Sequence, residues 1–229
     1  TVGGLWVRSY TVTTVNADTT PDAFTFTDIS DADLNTPYTS NTITVTWINS
    51  GASISISWTG SYSVNDGAYT SWGWTVYNWD TVKIQLTSST SWTTDADAVL
   101  NIWWITDTYT VTTLTPDTTP NNFTFSNVTG ADLSAVYTSN TATITGINVD
   151  ATISISGWSG EYSINGWSFT TTTGTISNND TVRVRVTSSS GHSNTVSTSL
   201  TVWTLSRDYD VETDVPPPSD SEPDAFTFT

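Results

Sequence analysis

From Thr19 the chain reads TTPDAFTFTDISDADLNTPYTSNTITVTWIN, and from Thr118 it reads TTPNNFTFSNVTGADLSAVYTSNTATITGIN. A chain that repeats itself in this way must use one folding unit more than once, which restricts it to repeat architectures. Further along, ISISWTGSYSVNDGAY is answered by ISISGWSGEYSINGWSF, and NWDTVKIQLTSS by NNDTVRVRVTSS. Phe24 returns as Phe123 and Tyr69 as Phe169. The unit is therefore about a hundred residues, a size that buries a working core without staples. The opening TVGGLWVRSYTVTT matches the ends of the two copies, NIWWITDTYTVTT and TVWTLSRDYDVET, and the pattern restarts at Glu222 as EPDAFTFT. The expected organisation is the C-terminal strands of a preceding repeat in 1–18, a first repeat in 19–117, a second with a proline-rich linker in 118–220, and the first strand of a following repeat in 221–229.

Within each copy, apolar residues alternate with polar ones at the two-residue period of a strand. Phe24 and Phe26 alternate with Thr, and Ile43, Val45 and Trp47 alternate with Thr44 and Thr46. Ile54 and Ile56 alternate with Ser, and Tyr62 and Val64 precede a turn at Asn65-Asp66-Gly67. Val82, Ile84 and Leu86 point one way and Lys83 and Gln85 the other; Val182, Val184 and Val186 repeat this against Arg183 and Arg185. A last strand runs through Tyr109 and Val111. About seven short strands per copy, each apolar on one face, is the pattern of an antiparallel two-sheet sandwich. No helix-period segment separates them, which disfavours a parallel α/β fold. The chain is rich in Thr, Ser and Val, residues that suit a pleated surface and weaken helices.

The links between copies are Thr115 to Pro120 and the stretch Val215-Pro216-Pro217-Pro218-Ser219-Asp220. Proline runs stiffen into extended spacers, so the expectation is a rod that lengthens by roughly 40 Å per domain. There is no cysteine, so disulfides and thiolate metal sites are excluded. The formal net charge is −17 with only five Lys and Arg, which leaves no basic footprint for nucleic acid and repels anionic membranes. No apolar run reaches the length of a membrane span.

The combination PDAFTFTDISDADL, YTSNTITV, YSVNDGAY and NWDTV resembles the bacterial immunoglobulin-like tandem repeats of very large surface proteins and adhesins. The resemblance covers two whole copies and two fragments. It implies a seven-stranded immunoglobulin-like sandwich, extracellular placement, and a stalk or adhesive role with no catalytic residues to carry over.

Twelve Trp is several times ordinary usage. Trp47 faces Gly146, Trp58 faces Gly157, Trp74 faces Gly174, and Trp167 faces Gly67; Trp103 and Trp104 face Gly3 and Gly4. Trp79 lies in Asn-Trp-Asp-Thr where copy two has Asn-Asn-Asp-Thr. Glycine serves where φ is positive or backbones approach closely, and a bulky residue there is strained. Two readings stand open. Either the indoles form an aromatic surface that docks subunits or sugars, or some of these codons specify Gly in the source cell.

Candidate chemistry is sparse. His192, in Ser-Gly-His-Ser, is the only histidine, and a solvated loop residue is favoured over a catalytic base, since a triad needs that ring held by a buried partner. Asp18, Asp22, Asp28, Asp31 and Asp33 cluster near the first junction. Only two recur, as Asp117 and Asp132, so solvated acidic loops are favoured and Ca²⁺ is the lesser alternative. Asp80 and Asp180 are expected to shape the turn before a strand. Asn122, Asn127 and Asn179 open glycan-acceptor triplets of a kind that also arise by chance. Expected catalytic, cofactor and metal residues are therefore none. The leading expectation is a structural, non-enzymatic segment of a long extracellular stalk or filament that self-associates at the cell surface. The alternatives are an adhesin for glycans or host proteins, and an accessory module of a secreted polysaccharide-active enzyme.

Overall fold

The computed structural model describes residues 8–218 apart from Trp58. The third-copy head at 221–229, the glycines at 3 and 4, Trp6 and Trp58 lie outside the described residues. The chain divides into two compact units with the boundary between Thr115 and Pro116. Both are all-β and share one topology.

In the first unit, one sheet runs in the order β1 (Ile29–Ala32), β9 (Ile105–Thr113), β8 (Asp95–Ile102), β4 (Ala52–Ile56), β6 (Trp74–Val76). The facing sheet centres on β7 (Thr81–Thr87), paired with β2 (Pro37–Thr39), β3 (Ile43–Thr44) and β5 (Ser61–Val64). Every pairing is antiparallel except β1 with β9, where Ile29 meets Val111 in parallel and ties the start of the domain to its end. The second unit repeats this with β10 (Val128–Ala131) beside β18 (Leu205–Thr213), then β17 (Thr195–Val202), β13 (Ala151–Gly157) and β15 (Gly174–Ile176). Its second sheet gathers β11 (Val136–Thr138), β12 (Ala142–Thr143) and β14 (Glu161–Ile164) around β16 (Thr181–Thr187). Two facing sheets of this order make each unit an immunoglobulin-like β-sandwich.

The alternation read from the sequence points inward as expected. Val82, Ile84 and Leu86 of β7 meet Ala98, Leu100 and Ile102 of β8 and Tyr109 and Val111 of β9, all buried. Val182, Val184 and Val186 hold the same places against Leu200, Val202 and Tyr209. Each fully buried aliphatic side chain contributes roughly 1.5–3 kcal/mol by leaving water.

Three segments depart from the simple alternation. Phe24 and Phe26 pack on the core but form no ladder, because the Phe26 N–H donates to the Asp107 carboxylate at 2.6 Å instead of to a strand. β2 and β3 are two halves of one strand position along β7, and each unit has nine strand elements where the alternation predicts about seven. They part at Ser40, whose buried hydroxyl accepts the Ile84 N–H at 2.9 Å and so replaces a ladder bond; Ser139 does the same for Val184. Trp47 does not continue the inward set of Ile43 and Val45. Its φ is 66°, the strand ends before it, and the indole is 77% exposed.

Candidate functional site

The acidic residues are spread over separate local tasks. The Asp28 carboxylate accepts the Thr110 N–H at 2.9 Å, clasping β9 beside β1. Asp18 accepts the Thr20 N–H at 3.0 Å, and its carbonyl accepts the N–H groups of Asn49 and Ser50. Asp117 repeats this with Thr119, Asn148 and Val149. Asp22 takes the Thr46 hydroxyl, and Asp31 sits at φ 56° where copy two has Gly130 at 70°. Asp33 supplies its carbonyl to the buried Ser88 hydroxyl, as Asp132 does to Ser188. Among the described residues no three His, Asp or Glu side chains converge on a point where a metal ion could sit.

His192 Nδ1 lies 2.8 Å from Asp214 Oδ1, and the neighbouring Ser193 N–H donates to the Asp214 carbonyl. In the first unit the same positions carry Trp92 and Leu114, and the Thr93 N–H donates to the Leu114 carbonyl. The conserved element is therefore the backbone clasp that closes the loop. The imidazole and carboxylate are one copy's way of covering it, and among the described residues no hydroxyl is hydrogen-bonded to that ring. The asparagines of the three glycan-acceptor triplets are all exposed: Asn122 accepts from Arg207, Asn127 pairs with Asp210, and Asn179 lies in a turn.

Asp80 and Asp180 build the turn expected of them. One oxygen of Asp80 accepts the Tyr77 N–H at 2.8 Å and the other accepts the Asn65 amide at 2.7 Å, while Asn65 in turn accepts the Thr81 N–H at 2.9 Å. Asp180, Ser177, Asn165 and Thr181 reproduce every one of these bonds. Removing the carboxylate leaves several donors unpaired. Asp80→Ala and Asp180→Ala are each expected to cost about 1–2 kcal/mol in urea unfolding, with Asn in place of Asp restoring part of it.

Four tyrosines are buried at matching positions. The hydroxyls of Tyr62 and Tyr162 donate to the carbonyls of Trp72 and Thr172 at 2.6 Å. Those of Tyr109 and Tyr209 have no hydrogen-bond partner among the described residues. Burial raises all four phenols. For Tyr109, with the Asp28 charge adding to it, the value is pushed from 10.0 up to about 12. Below about pH 10 the phenols are protonated whether the chain is folded or not, so stability there is complete; as pH climbs through 10 the unfolded chain ionises first, and stability falls until about pH 12. Urea midpoints are expected to be flat from pH 8 to about 9.5 and to drop steeply above it. Tyr109→Phe removes an orphaned hydroxyl, and is expected to add about 1 kcal/mol at neutral pH and to soften the alkaline drop.

A groove is lined in part by aromatic side chains. It lies in the first unit between Tyr62, Thr70, Trp72, Trp74, Tyr77 and Asp80, with a volume near 610 Å³. In the second unit the corresponding wall residues are Thr172, Gly174 and Ser177. The sequence flagged Trp74 as anomalous but gave no signal that Trp72 and Tyr77 would line the same groove.

These units define the class: a tandem immunoglobulin-like β-sandwich protein whose matched features are structural. No family model matches the chain, and no curated protein matches it. Among solved structures it is similar to domains 4 and 5 of the S-layer protein SbsC, at 8% identity over 68% of this chain and 70% of that one, with a TM-score of 0.35. It is also similar to titin domains z1z2 in complex with telethonin, at 8% identity over 86% and 97%, with a TM-score of 0.41. For titin domains I67–I69 the identity is 9% over 86% and 65%, with a TM-score of 0.32. The assignment of fold rests on strand order and core. Among the described residues no helix is long and apolar enough to cross a membrane.

Proposed function

We propose that the chain is a spacer: a segment of a long extracellular stalk or filament of a bacterial cell surface, made of immunoglobulin-like repeats, that holds something else at a distance and catalyses nothing itself. One comparison carries this reading. What the two units share, bond for bond, is scaffolding: the Asp80 and Asp180 turns, the Ser40 and Ser139 ladder substitutes, the Ser88 and Ser188 clasps and the buried tyrosines. What they do not share includes the surfaces considered above as places to read a ligand: the groove wall, the His192 loop and most of the acidic cluster. Selection for recognition keeps contact residues from copy to copy, whereas selection for reach keeps only the fold. The proposal includes self-association into a fibre through exposed sheet edges such as β6.

Small-angle scattering on chains of two, four and six copies tests it. The maximum dimension is expected to grow by a constant increment of roughly 40 Å per domain. A dimension that levels off as copies are added overturns the spacer reading. The aromatic groove of the first unit favours adhesion as the second reading, and a glycan array probed with the two-unit chain separates them: spacing predicts no binding.

A further inference from the structure

The tryptophans obey none of the rules that govern the rest of the molecule. Twelve are present, and ten of them, all but Trp6 and Trp58, are described. None of those ten belongs to either buried core; both cores are built from aliphatic residues, Tyr and Phe. Trp is ordinarily among the more buried residues, so this is opposite to what a packed domain does with indoles.

Their backbone positions are stranger still. Fourteen described non-glycine residues have positive φ. Ten are Asn, Asp, Ser or Thr, all short polar side chains, and six of them are Asn or Asp, which enter the left-handed region most readily after glycine. The other four are Trp47 at 66°, Trp79 at 75°, Trp103 at 61° and Trp203 at 55°. Trp47 stands where the second unit has Gly146 at 89°. Trp79 is third in the turn closed by the Asp80 N–H to the Tyr77 carbonyl, the place a type II turn reserves for Gly or Asn, and copy two has Asn179 there at 71°. Trp103 and Trp203 are each the first of two residues joining paired strands, since Ile102 pairs with Ile105 and Val202 with Leu205. Positive φ at that place is the II′ hairpin geometry, whose first residue is ordinarily glycine. Trp74 and Trp167 are opposite glycines with little room: a Cβ at Gly174 would lie 3.1 Å from the Tyr162 hydroxyl, and one at Gly67 3.0 Å from the Val64 carbonyl.

The exchange also runs both ways. Copy one has Trp against Gly at 47 and 74, and copy two has Trp against Gly at 167. Trp103 and Trp203 are in register, but the indoles at 47, 74 and 167 have no counterpart in the other copy, as a shared binding surface would require. A change in how one codon is read scatters them wherever that codon, and not another glycine codon, happened to be used.

We infer that the protein made by its own cells carries glycine at positions 47, 74, 79, 103, 167 and 203. The codon there is UGA, which some genetic codes read as tryptophan and others as glycine. Glycine suits all six positions: it relaxes the four left-handed ones, matches the glycines at the equivalents of Trp74 and Trp167, and removes exposed indole from water. The wall of the first unit's groove then loses Trp74 and keeps Trp72 and Tyr77, where the second unit has Thr172 and Ser177. The inference does not depend on the spacer reading, because scattering tests the one and composition the other.

Two measurements decide it. Tandem mass spectrometry of protein recovered from the cells that encode it is expected to show peptides spanning positions 47, 79, 103 and 203 lighter by the difference between Trp and Gly at each; peptides carrying Trp there overturn the inference. Recombinant chains supply the second. Trp47→Gly, Trp79→Gly and Trp103→Gly combined are expected to raise the melting temperature of the first unit by roughly 5 °C or more. A melting temperature that falls contradicts the claim that these sites are built for glycine.

Discussion

Replacing Ile84 by alanine is expected to destabilise the first unit by about 3–4 kcal/mol and to split a lower-melting transition away from the second. Ile84 is wholly buried at the centre of β7, opposite Tyr62 of β5 and against the other sheet. Its backbone N–H is held by the Ser40 hydroxyl, so the strand has little freedom to collapse into the space left behind. Truncation there loses both the transfer energy of the missing carbons and the contacts around the cavity. The core of the second unit is a separate cluster that does not include this residue. Calorimetry should therefore show one transition lowered by roughly 15 °C and the other unmoved. Ile84→Val, which leaves a smaller void, is expected to cost only about 1 kcal/mol.

Gly157→Val is expected to destabilise the second unit by roughly 3 kcal/mol or more, through the backbone. Gly157 ends β13 at φ 104°, a conformation essentially closed to side chains. A Cβ built there lies 2.7 Å from the Ser197 carbonyl oxygen and 2.9 Å from the Thr198 Cα. Both are main-chain atoms of the paired strand β17, so no rotamer change relieves the clash. Gly130 supplies the control. Its φ is 70° but nothing lies within 4 Å of its Cβ position, and the first unit carries Asp31 in the equivalent place. Gly130→Asn is expected to cost less than about 1 kcal/mol in the same urea titration.

Much of this architecture is written locally and can be read. The inward positions of β7 and β16 follow from alternation alone, and the Asn65-Asp66-Gly67 turn from its residues. Asp80 announces its turn because a short carboxylate before a strand bonds its own backbone. What was hidden is non-local. Nothing near Phe26 indicates that its N–H goes to Asp107, some eighty residues away, so alternation there was read as a strand. The parallel join of β1 to β9 likewise depends on the two ends of the domain meeting. Trp47 was placed on the inward face because period two says nothing of a left-handed residue that ends the strand. The acids looked like a cluster because they are close in sequence; their hydrogen bonds disperse them. The aromatic groove was illegible for a different reason: Trp72 and Tyr77 reach it only after Tyr62 and Thr70 bridge the segment back to β5.

Expressing residues 1–115 and 116–229 as separate chains puts the tandem arrangement to its proof. Each piece contains a complete sandwich with its own first-to-last strand closure, and is predicted to melt as a single cooperative transition in a calorimeter. A piece that remains unfolded on its own, giving no heat-absorption peak, would show that the repeat is not a self-sufficient domain and that the spacer account is wrong.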